Sequence, residues 1–424
     1  MSGPRDAVIV ATARTPIGRA FKGSLVDERA DELCVAAIRA AMAYIPQLSP
    51  HSINDLILGC GAPGGEQGFN LARVVAVLLG WDSVPATTVT RYCASSLQGI
   101  RMAMHAIRAG EGDAFVVAGV ETVSRSRRGT SDSPPVAADA DPRDRSANPW
   151  VSPRFAAAQQ RTRQRASESA APVWIDPRDQ GDLPDVYIAM GQTAENVAQI
   201  DGVGRLDQDD YAVLSQQRAE SAIAKGFWAR EITPYERADG TVVDADDCPR
   251  PDTTLEGLAR LSPVFRPDGT VTAGNACPLN DGAAAVVVMS AERAGQLGIT
   301  PLARIVSTGV TALSPEVMGL GPVESTMQAL IHAGMSVADV DQFEINEAFA
   351  AQVVASQRRL GIDVDILNVN GGAIAVGHPF GMTGARIATT LINSLRWHDA
   401  QIGVETMCVG GGQGMAMVLE RLAE

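Results

Sequence analysis

Thr88-Val-Thr-Arg-Tyr-Cys-Ala-Ser-Ser-Leu-Gln98 is the stretch around which the rest of this chain reads as equipment. The β-branched run from Thr87 to Thr90 predicts a short strand. Small residues follow Cys93, and Leu97 to Ile107 then carries apolar side chains at helical spacing. Cys93 is therefore expected at a strand-to-helix turn, where unpaired N–H groups and the helix dipole offer partial positive charge. Such a position lowers a thiol's pKa and exposes the thiolate. The competing reading is a buried, inert cysteine, the commoner fate of a free Cys. Only a base and an oxyanion site elsewhere in the chain would decide between them.

Outward from that turn, buried strands alternate with helices. Ala7–Ala11 and Asp55–Gly59 are short continuous apolar runs, suited to strands covered on both faces. Ala30–Ala43 and Asn70–Leu79 read as helices, and Phe115–Gly119 as the strand that closes the unit. This alternation predicts an α/β sheet with helices packed on it. Asn280–Met289 returns to a buried strand, and the order of elements then repeats. Ala303–Ser307 parallels the first strand, Thr326–Ala333 the first helix, and Gln342–Ile345 the strand at Asp55. Ala351–Leu360 parallels the helix at Asn70, and Ile366–Val369 the strand before Cys93. Thr383–Leu395 parallels the Cys93 helix, and Met407–Val409 parallels Val116–Ala118. Two copies of one α/β unit are expected.

Between Ser124 and Asp185 the apolar period disappears and Pro, Ser, Asp and Arg dominate. So long an irregular stretch is usually functional or disordered. Arg125, Arg127, Arg128, Arg143, Arg145, Arg154, Arg161, Arg163 and Arg165 gather here. They form either a lid offering positive charge to an anionic substrate or a solvated insertion. Met190–Ile200 and Gln208–Lys225 then read as amphipathic helices.

Composition narrows the function classes. A chain of 424 residues with 46% hydrophobic content has enough apolar material for two or three domains. Its net charge of −14, without any Lys/Arg block, argues against a nucleic-acid partner. No apolar run approaches the ~20 residues of a membrane span. The segment Met1–Asp6 lacks a basic region before an apolar one, so no signal peptide is expected. Six cysteines, at 34, 60, 93, 248, 277 and 408, form no CxxC pair. That is neither a zinc framework nor a disulfide scaffold, and it fits a reduced, cytoplasmic protein with no metal.

The duplication has a chemical consequence. Equivalent turns of the two halves would face each other, so the partner of the Cys93 turn is Asn370–Gly384, a glycine-rich loop that contains His378. Its glycines permit a tight loop and close approach to a ligand. Opposite a helix-start cysteine, His378 is the base a nucleophilic thiol needs. Cys408 precedes Gly410-Gly-Gly-Gln-Gly414, a loop whose backbone N–H groups could bind an oxyanion, or which serves only as a phosphate-type turn or for packing.

Five ordered blocks carry a family resemblance. Arg91–Gln98, Gly274-Asn-Ala with Asn280-Asp-Gly282, Asn346-Glu-Ala-Phe349, Gly377-His-Pro-Phe-Gly381 and Cys408–Gly412 resemble the signature blocks of thiolases, and the resemblance spans the whole chain. It implies a five-layered α-β-α-β-α fold of two similar halves plus an inserted loop domain. The expected divisions are 1–123 and 280–300 for the first half, 124–279 for the insertion, and 301–424 for the second half. The activity implied is acyl-CoA:acetyl-CoA C-acyltransfer, with coenzyme A and acetyl-CoA as substrates and no permanently bound cofactor. Cys93 resembles the nucleophile that becomes acylated, His378 its base, and Cys408 the second acid/base. Asn346, through a water, with His378 resembles the enolate site, and the N–H groups of Cys93 and Gly410 the second oxyanion site.

For coenzyme A the resemblance puts Arg250 near the adenine end, Phe265, Ala273, Ala348 and Phe349 along the pantetheine arm, and Met190 at the acyl end. Cys277-Pro278 stands where many relatives have Ser-Gly, so Cys277 costs one pantetheine contact. Ala189 stands where acetoacetyl-CoA-specific members often have His, which leaves room. That favours a degradative 3-ketoacyl-CoA thiolase of fatty-acid β-oxidation over an acetoacetyl-CoA-specific enzyme. A ketoacyl-synthase-type enzyme would pair Cys with two His. A silent CoA- or lipid-binding protein would not need Cys93, His378, Cys408 and Asn346 together. The family also implies a homodimer or homotetramer.

Overall fold

Residues 283 to 289 show how the core is assembled. Ala283, Ala285, Val287 and Met289 point into one apolar layer, while Ala284, Val286 and Val288 point into another. A strand covered on both faces is hydrophobic at every position because neither side of its pleat meets water.

In the computed structural model, which describes residues 3–132, 135, 148 and 150–422, nine such strands form the main path of a ten-stranded sheet. The first half contributes β1 (Ala7–Arg14), β2 (Asp55–Cys60), β3 (Ala86–Val89), β4 (Ala114–Thr122) and β5 (Asn280–Ser290). The second contributes β6 (Ala303–Ala312), β7 (Gln342–Ile345), β8 (Ile402–Val409) and β9 (Gln413–Arg421). The order is β7-β8-β9-β6-β1-β5-β4-β2-β3. Within the first half β2 runs parallel to β3 and β4, and β5 is antiparallel to β4 and β1. Within the second, β7 is parallel to β8, and β9 is antiparallel to β8 and β6. The two arrangements are copies, and the sheet passes from one to the other where Val8 and Ile9 meet Arg304 and Ala303.

Helices complete five layers. α1 (Ala30–Ala43) and α2 (Leu71–Leu78) cover the outer face of the first half. α7 (Gly321–Ala333) and α8 (Ala350–Leu360) cover that of the second. α3 (Ser95–Ala109) and α9 (Thr383–Trp397) lie between the sheets in a shared core. Their N-termini touch. Ser96 Oγ accepts from the Ala385 N–H at 2.9 Å. A Cβ on Gly384 would stand 2.4 Å from Leu97 N, so only glycine lets the two helix starts meet. The loops preceding α3 and α9 are thereby brought to one place, as the duplication requires.

Four expectations need correction. Ile366–Val369 is not a strand; only Leu367 bridges to Phe343. Asn368, at φ 46°, uses its side-chain amide to accept from Ile345 N and donate to Ile345 O, both at 2.9 Å, and so replaces the ladder an edge strand would have made. The Cys93 helix starts at Ser95 rather than Leu97, after a single 3₁₀ turn over Tyr92–Ala94. The stretch 124–185 is not uniformly irregular, since α4 (Ala156–Ser167) lies within it. Finally, several of the insertion's arginines are tied down, while Arg154 and Arg163 are exposed. Arg125 and Arg128 pair with Glu66, and Arg161 bonds Asp182 and Leu183 O. Arg143, Arg145 and the side chain of Arg127 lie outside the described residues.

Candidate active site

Cys93 sits in the 3₁₀ turn between β3 and α3. The turn is pinned by Ser95, whose Oγ donates to Tyr92 O at 2.6 Å and accepts from Arg91 N at 2.9 Å. Tyr92 occupies the left-handed region at φ 44°, an uncommon conformation for a residue with a Cβ. Across from it, Gly410 opens the three-residue loop between β8 and β9; a Cβ there would lie 3.4 Å from the Tyr92 ring. Gly412, at φ 81°, closes the loop where its backbone passes Leu313 O. The N–H groups of Cys93 and Gly410 both reach the Cys93 sulfur.

The helix-start position does not make this thiol acidic. Burial pushes Cys93 up to about 12, and the nearby carboxylate of Glu121 adds to the rise; the two backbone N–H groups only oppose it. Glu121, fully enclosed, accepts from Gly61 N at 2.7 Å, Gly381 N at 2.9 Å and Gln67 Nε2 at 2.8 Å. It ties the end of β2 to the loop that carries His378. Nothing in the sequence marks this role, because Glu121 lies just past the strand read at Phe115–Gly119, which in the structure runs on to Thr122.

His378 is 1% exposed. Its backbone N–H donates to Asn280 Oδ1 at 2.9 Å, which anchors the loop to the start of β5. Its Nδ1 lies 2.6 Å from Thr383 Oγ1, and that hydroxyl donates to Pro379 O at 2.7 Å. A hydroxyl has one proton, so toward the imidazole Thr383 accepts. Nδ1 therefore carries the proton, and Nε2 presents a lone pair, 3.3 Å from Asn346 Nδ2. Burial, reinforced by the Arg386 charge, pushes His378 down to about 3, so the ring is neutral at neutral pH. Thr383, which reads in sequence as a helix start, thus fixes the tautomer.

Asn346 follows β7 and donates its backbone N–H to Thr406 O at 2.9 Å, two residues before Cys408. Its Oδ1 is buried without a protein partner among the described residues. Cys408, at the end of β8, is fully buried; burial first, then the nearby sulfurs of Cys93 and Cys277, raise its thiol well above the ordinary range. Three sulfurs therefore share one neighbourhood.

Met190, Phe265, Ala348, Phe349 and Cys408 belong to one apolar cluster. Met190 opens α5 (Met190–Asp201), which α6 (Arg205–Ala224) follows. The Phe265 and Phe349 rings meet edge-on with centroids 6.3 Å apart. Cys277 donates its backbone N–H to Ala348 O at 3.1 Å, so the segment around it runs beside Phe349. Ala273 is exposed, and Arg250, whose backbone N–H donates to Gln216 Oε1 at 2.8 Å, is half-buried outside this cluster. Met318 joins the cluster and was not expected from the sequence. Glu347 is a further hub, accepting from Tyr211 OH, Ser215 Oγ, Asn368 Nδ2 and Ile374 N at 2.7–3.0 Å. Among the described residues no group of three or more His, Cys, Asp or Glu could hold a metal ion.

Comparison with known proteins bears on this arrangement. The family model described as thiolase, N-terminal domain, matches residues 7–292, and that described as thiolase, C-terminal domain, matches 299–421. The chain is 40% identical to a 3-ketoacyl-CoA thiolase of Marinomonas sp. (strain MWYL1), with 99% of each chain covered. It is 39% identical to the 3-oxoadipyl-CoA/3-oxo-5,6-dehydrosuberyl-CoA thiolase of Escherichia coli (strain K12), covering 99% of this chain and 100% of that one. The crystal structure of human mitochondrial 3-ketoacyl-CoA thiolase in complex with CoA superposes with a TM-score of 0.82 at 34% identity, over 99% of this chain and 98% of that one.

Proposed function

This chain belongs to the thiolase family of acyl-CoA acyltransferases, which act on coenzyme A esters without a permanently bound cofactor, and from that premise we propose that it is a degradative 3-ketoacyl-CoA thiolase working through an acyl-enzyme on Cys93. The observation that carries the reading is the contact of His378 Nδ1 with Thr383 Oγ1, which leaves the Nε2 lone pair, faced by Asn346 Nδ2, to act as the base. In this reading His378 Nε2 takes the Cys93 proton as the sulfur adds to the 3-keto carbonyl. Collapse of that adduct breaks the C2–C3 bond, leaves the shortened acyl group on Cys93 and releases acetyl-CoA as its enolate. Cys408 gives the enolate its proton. A coenzyme A thiol then attacks the Cys93 thioester and carries the acyl group away. The N–H groups of Cys93 and Gly410 would stabilise the oxyanion of the acyl-enzyme steps, while His378 and Asn346, through a water, would serve the enolate.

Met190, Phe265, Ala348 and Phe349 would line the pantetheine and acyl path, with Arg250 and Ala273 toward the nucleotide and Cys277 beside the thioester. The short side chain of Ala189, at the cap of α5, supports a preference broader than acetoacetyl-CoA. The divisions 1–123 with 280–300, 124–279 and 301–424 remain the proposed domains. We place the enzyme in the cytoplasm, as a homodimer or homotetramer. No helix among the described residues is long and apolar enough to cross a membrane. Light scattering showing an active monomer near 44.4 kDa would contradict the oligomer.

Thiolysis of acetoacetyl-CoA and of 3-oxohexanoyl-CoA, followed as loss of enolate absorbance, tests the function. Both should react, and peptide mapping after acetyl-CoA exposure should find the acetyl group on Cys93. Acetyl on Cys277 with Cys93 unmodified would overturn the assignment.

A further inference from the structure

Behind the first turn of α5 lies a cavity of about 200 Å³ that the proposed chemistry does not use. Arg165 of α4 and Arg266 both line it, with Trp174, Ile188, Gln192 and Glu316. Arg266 is only 6% exposed, and its guanidinium donates to neutral oxygens: Gln192 Oε1 at 2.9 Å, Asn196 Oδ1 at 2.7 Å, Gln199 Oε1 at 3.2 Å and Gln192 O at 3.4 Å. Arg165 reaches the same two amides, Gln199 Oε1 at 3.1 Å and Asn196 Oδ1 at 3.4 Å, and also Pro172 O at 2.9 Å. Its Nε is buried with no partner among the described residues. Two guanidiniums thus share two amide acceptors, and no carboxylate of the described residues is in ion-pair range of either.

The cavity's own carboxylate is already engaged. Glu316 Oε2 accepts from Trp174 Nε1 at 2.6 Å, and Oε1 accepts from Asp185 N at 2.7 Å. Buried arginines are normally paired, because an isolated buried charge is costly. Here burial first, and then the neighbouring Arg165, weaken the hold of Arg266 on its proton, and the more distant carboxylates of Glu195 and Asp268 only partly offset them. A bidentate carboxylate fits the guanidinium fork and would relieve both the repulsion and the orphan Nε. Apolar side chains such as Ile188 and Trp174 suit an alkyl stem behind it.

We propose that this cavity is a carboxylate site, in which Arg165 and Arg266 hold a carboxylate borne on an alkyl chain. Its wall is shared with the acyl end of the proposed active site. Gln192, two residues after Met190, accepts from Arg266 through Oε1 and donates from Nε2 to Phe265 O at 2.5 Å. The carboxylate comes either from the far end of an acyl chain on coenzyme A, a source that rests on the thiolase reading, or from a free carboxylic acid, which does not.

Arg165→Gln is the informative variant, since Arg266 also supports Phe265 through Gln192. Two measurements separate the sources. The first is kcat/KM for thiolysis of six- and eight-carbon 3-oxoacyl-CoA esters, each compared with its equal-length analogue ending in a carboxylate. The second is calorimetric titration of the free protein with adipate. If the acyl chain is the source, a carboxylate-ended ester is preferred by about 10- to 100-fold, the worth of a charge-assisted hydrogen-bond pair. Arg165→Gln then erases that preference and leaves the methyl-ended ester unchanged. If a free acid is the source, adipate binds saturably, Arg165→Gln abolishes the binding, and the ester pairs react alike. Absence of both effects overturns the site, as does an equal loss on both esters in Arg165→Gln without adipate binding. A protein inactive on every ester but binding adipate through Arg165 would refute the thiolase reading and keep the site.

Discussion

Thr383→Val should disable the base without removing it. The substitution keeps the volume of the side chain and deletes the hydroxyl that accepts from His378 Nδ1 at 2.6 Å. In a ring that is 1% exposed, water does not readily replace that acceptor. The Nδ1–H tautomer is left with an unsatisfied buried donor, at a cost of about 1–3 kcal/mol. The alternative tautomer, with the proton on Nε2, avoids that cost but removes the lone pair that the proposed base needs, and it loses the bond now accepted from Asn346 Nδ2. The base-competent population should fall accordingly. At 1.36 kcal/mol per tenfold, kcat for acetoacetyl-CoA thiolysis should drop by about 5- to 150-fold. KM should stay within about twofold by the same reasoning, because Thr383 is enclosed behind the imidazole and removes no contact made equally in ground and transition states. Thr383→Ser restores the hydroxyl and should recover most of the rate. A folded Thr383→Val enzyme that kept wild-type kcat would refute the tautomer argument. Equal impairment in Thr383→Ser would show that packing, rather than the hydroxyl, matters at this position.

Cys408→Ser should leave burst acylation by labelled acetyl-CoA largely intact and slow thiolysis by about 10²–10⁴-fold, since a serine hydroxyl is too weak an acid to replace the thiol; equal loss of both half-reactions would point to a structural sulfur. Alkylation of free Cys93 by iodoacetamide should keep accelerating beyond pH 9, because burial has raised this thiol to about 12, and a plateau near pH 7 would reveal a thiolate–imidazolium pair instead. His378 should make the fold acid-sensitive. Its folded pKa is depressed to about 3 from an ordinary 6.5, so the unfolded chain binds the extra proton in between; the stability it contributes is complete above pH 6.5 and is lost as pH falls, by about 2 kcal/mol at pH 5. Urea unfolding of wild type and His378→Gln at pH 7 and pH 5 measures this, and parallel losses in the two proteins would dismiss it.

What could be read in the sequence was what repeats along the chain or stands out against it. Strands covered on both faces, such as Asn280–Ser290, announce themselves because every residue must be apolar or small. The Cys93 turn and the His378 loop are marked by rare residues beside clustered glycines. What stayed hidden depends on partners far away in sequence. α4 escaped notice because only Ala158 on it is buried, which leaves no apolar stripe to detect. The lost edge strand at Ile366–Val369 turned on one side chain, Asn368, taking over the hydrogen bonds of Ile345. Glu121 and Glu347 read as ordinary carboxylates, and their work as hubs emerges only when loops from both halves close on them.

The direction of the Cys93 shift follows from the same geometry and changes how the proposed site would operate. A helix start alone would favour thiolate, and the N–H groups of Cys93 and Gly410 do pull that way. The duplicated fold, however, stacks the second half's loop directly over the first half's turn. That takes His378 out of water and leaves Cys93 partly buried. Burial raises the thiol and lowers the imidazole, so each shift opposes the ion pair, and at neutral pH the resting pair is thiol and neutral ring. Proton transfer then becomes favourable only when negative charge can move onward from sulfur to a carbonyl oxygen held by the waiting N–H groups. Formation of the proposed nucleophile would thereby be tied to the presence of a thioester or ketone at the site. The free enzyme keeps a sulfur that adventitious oxidants and alkylating agents attack slowly, since those reagents need the thiolate and supply no such oxyanion.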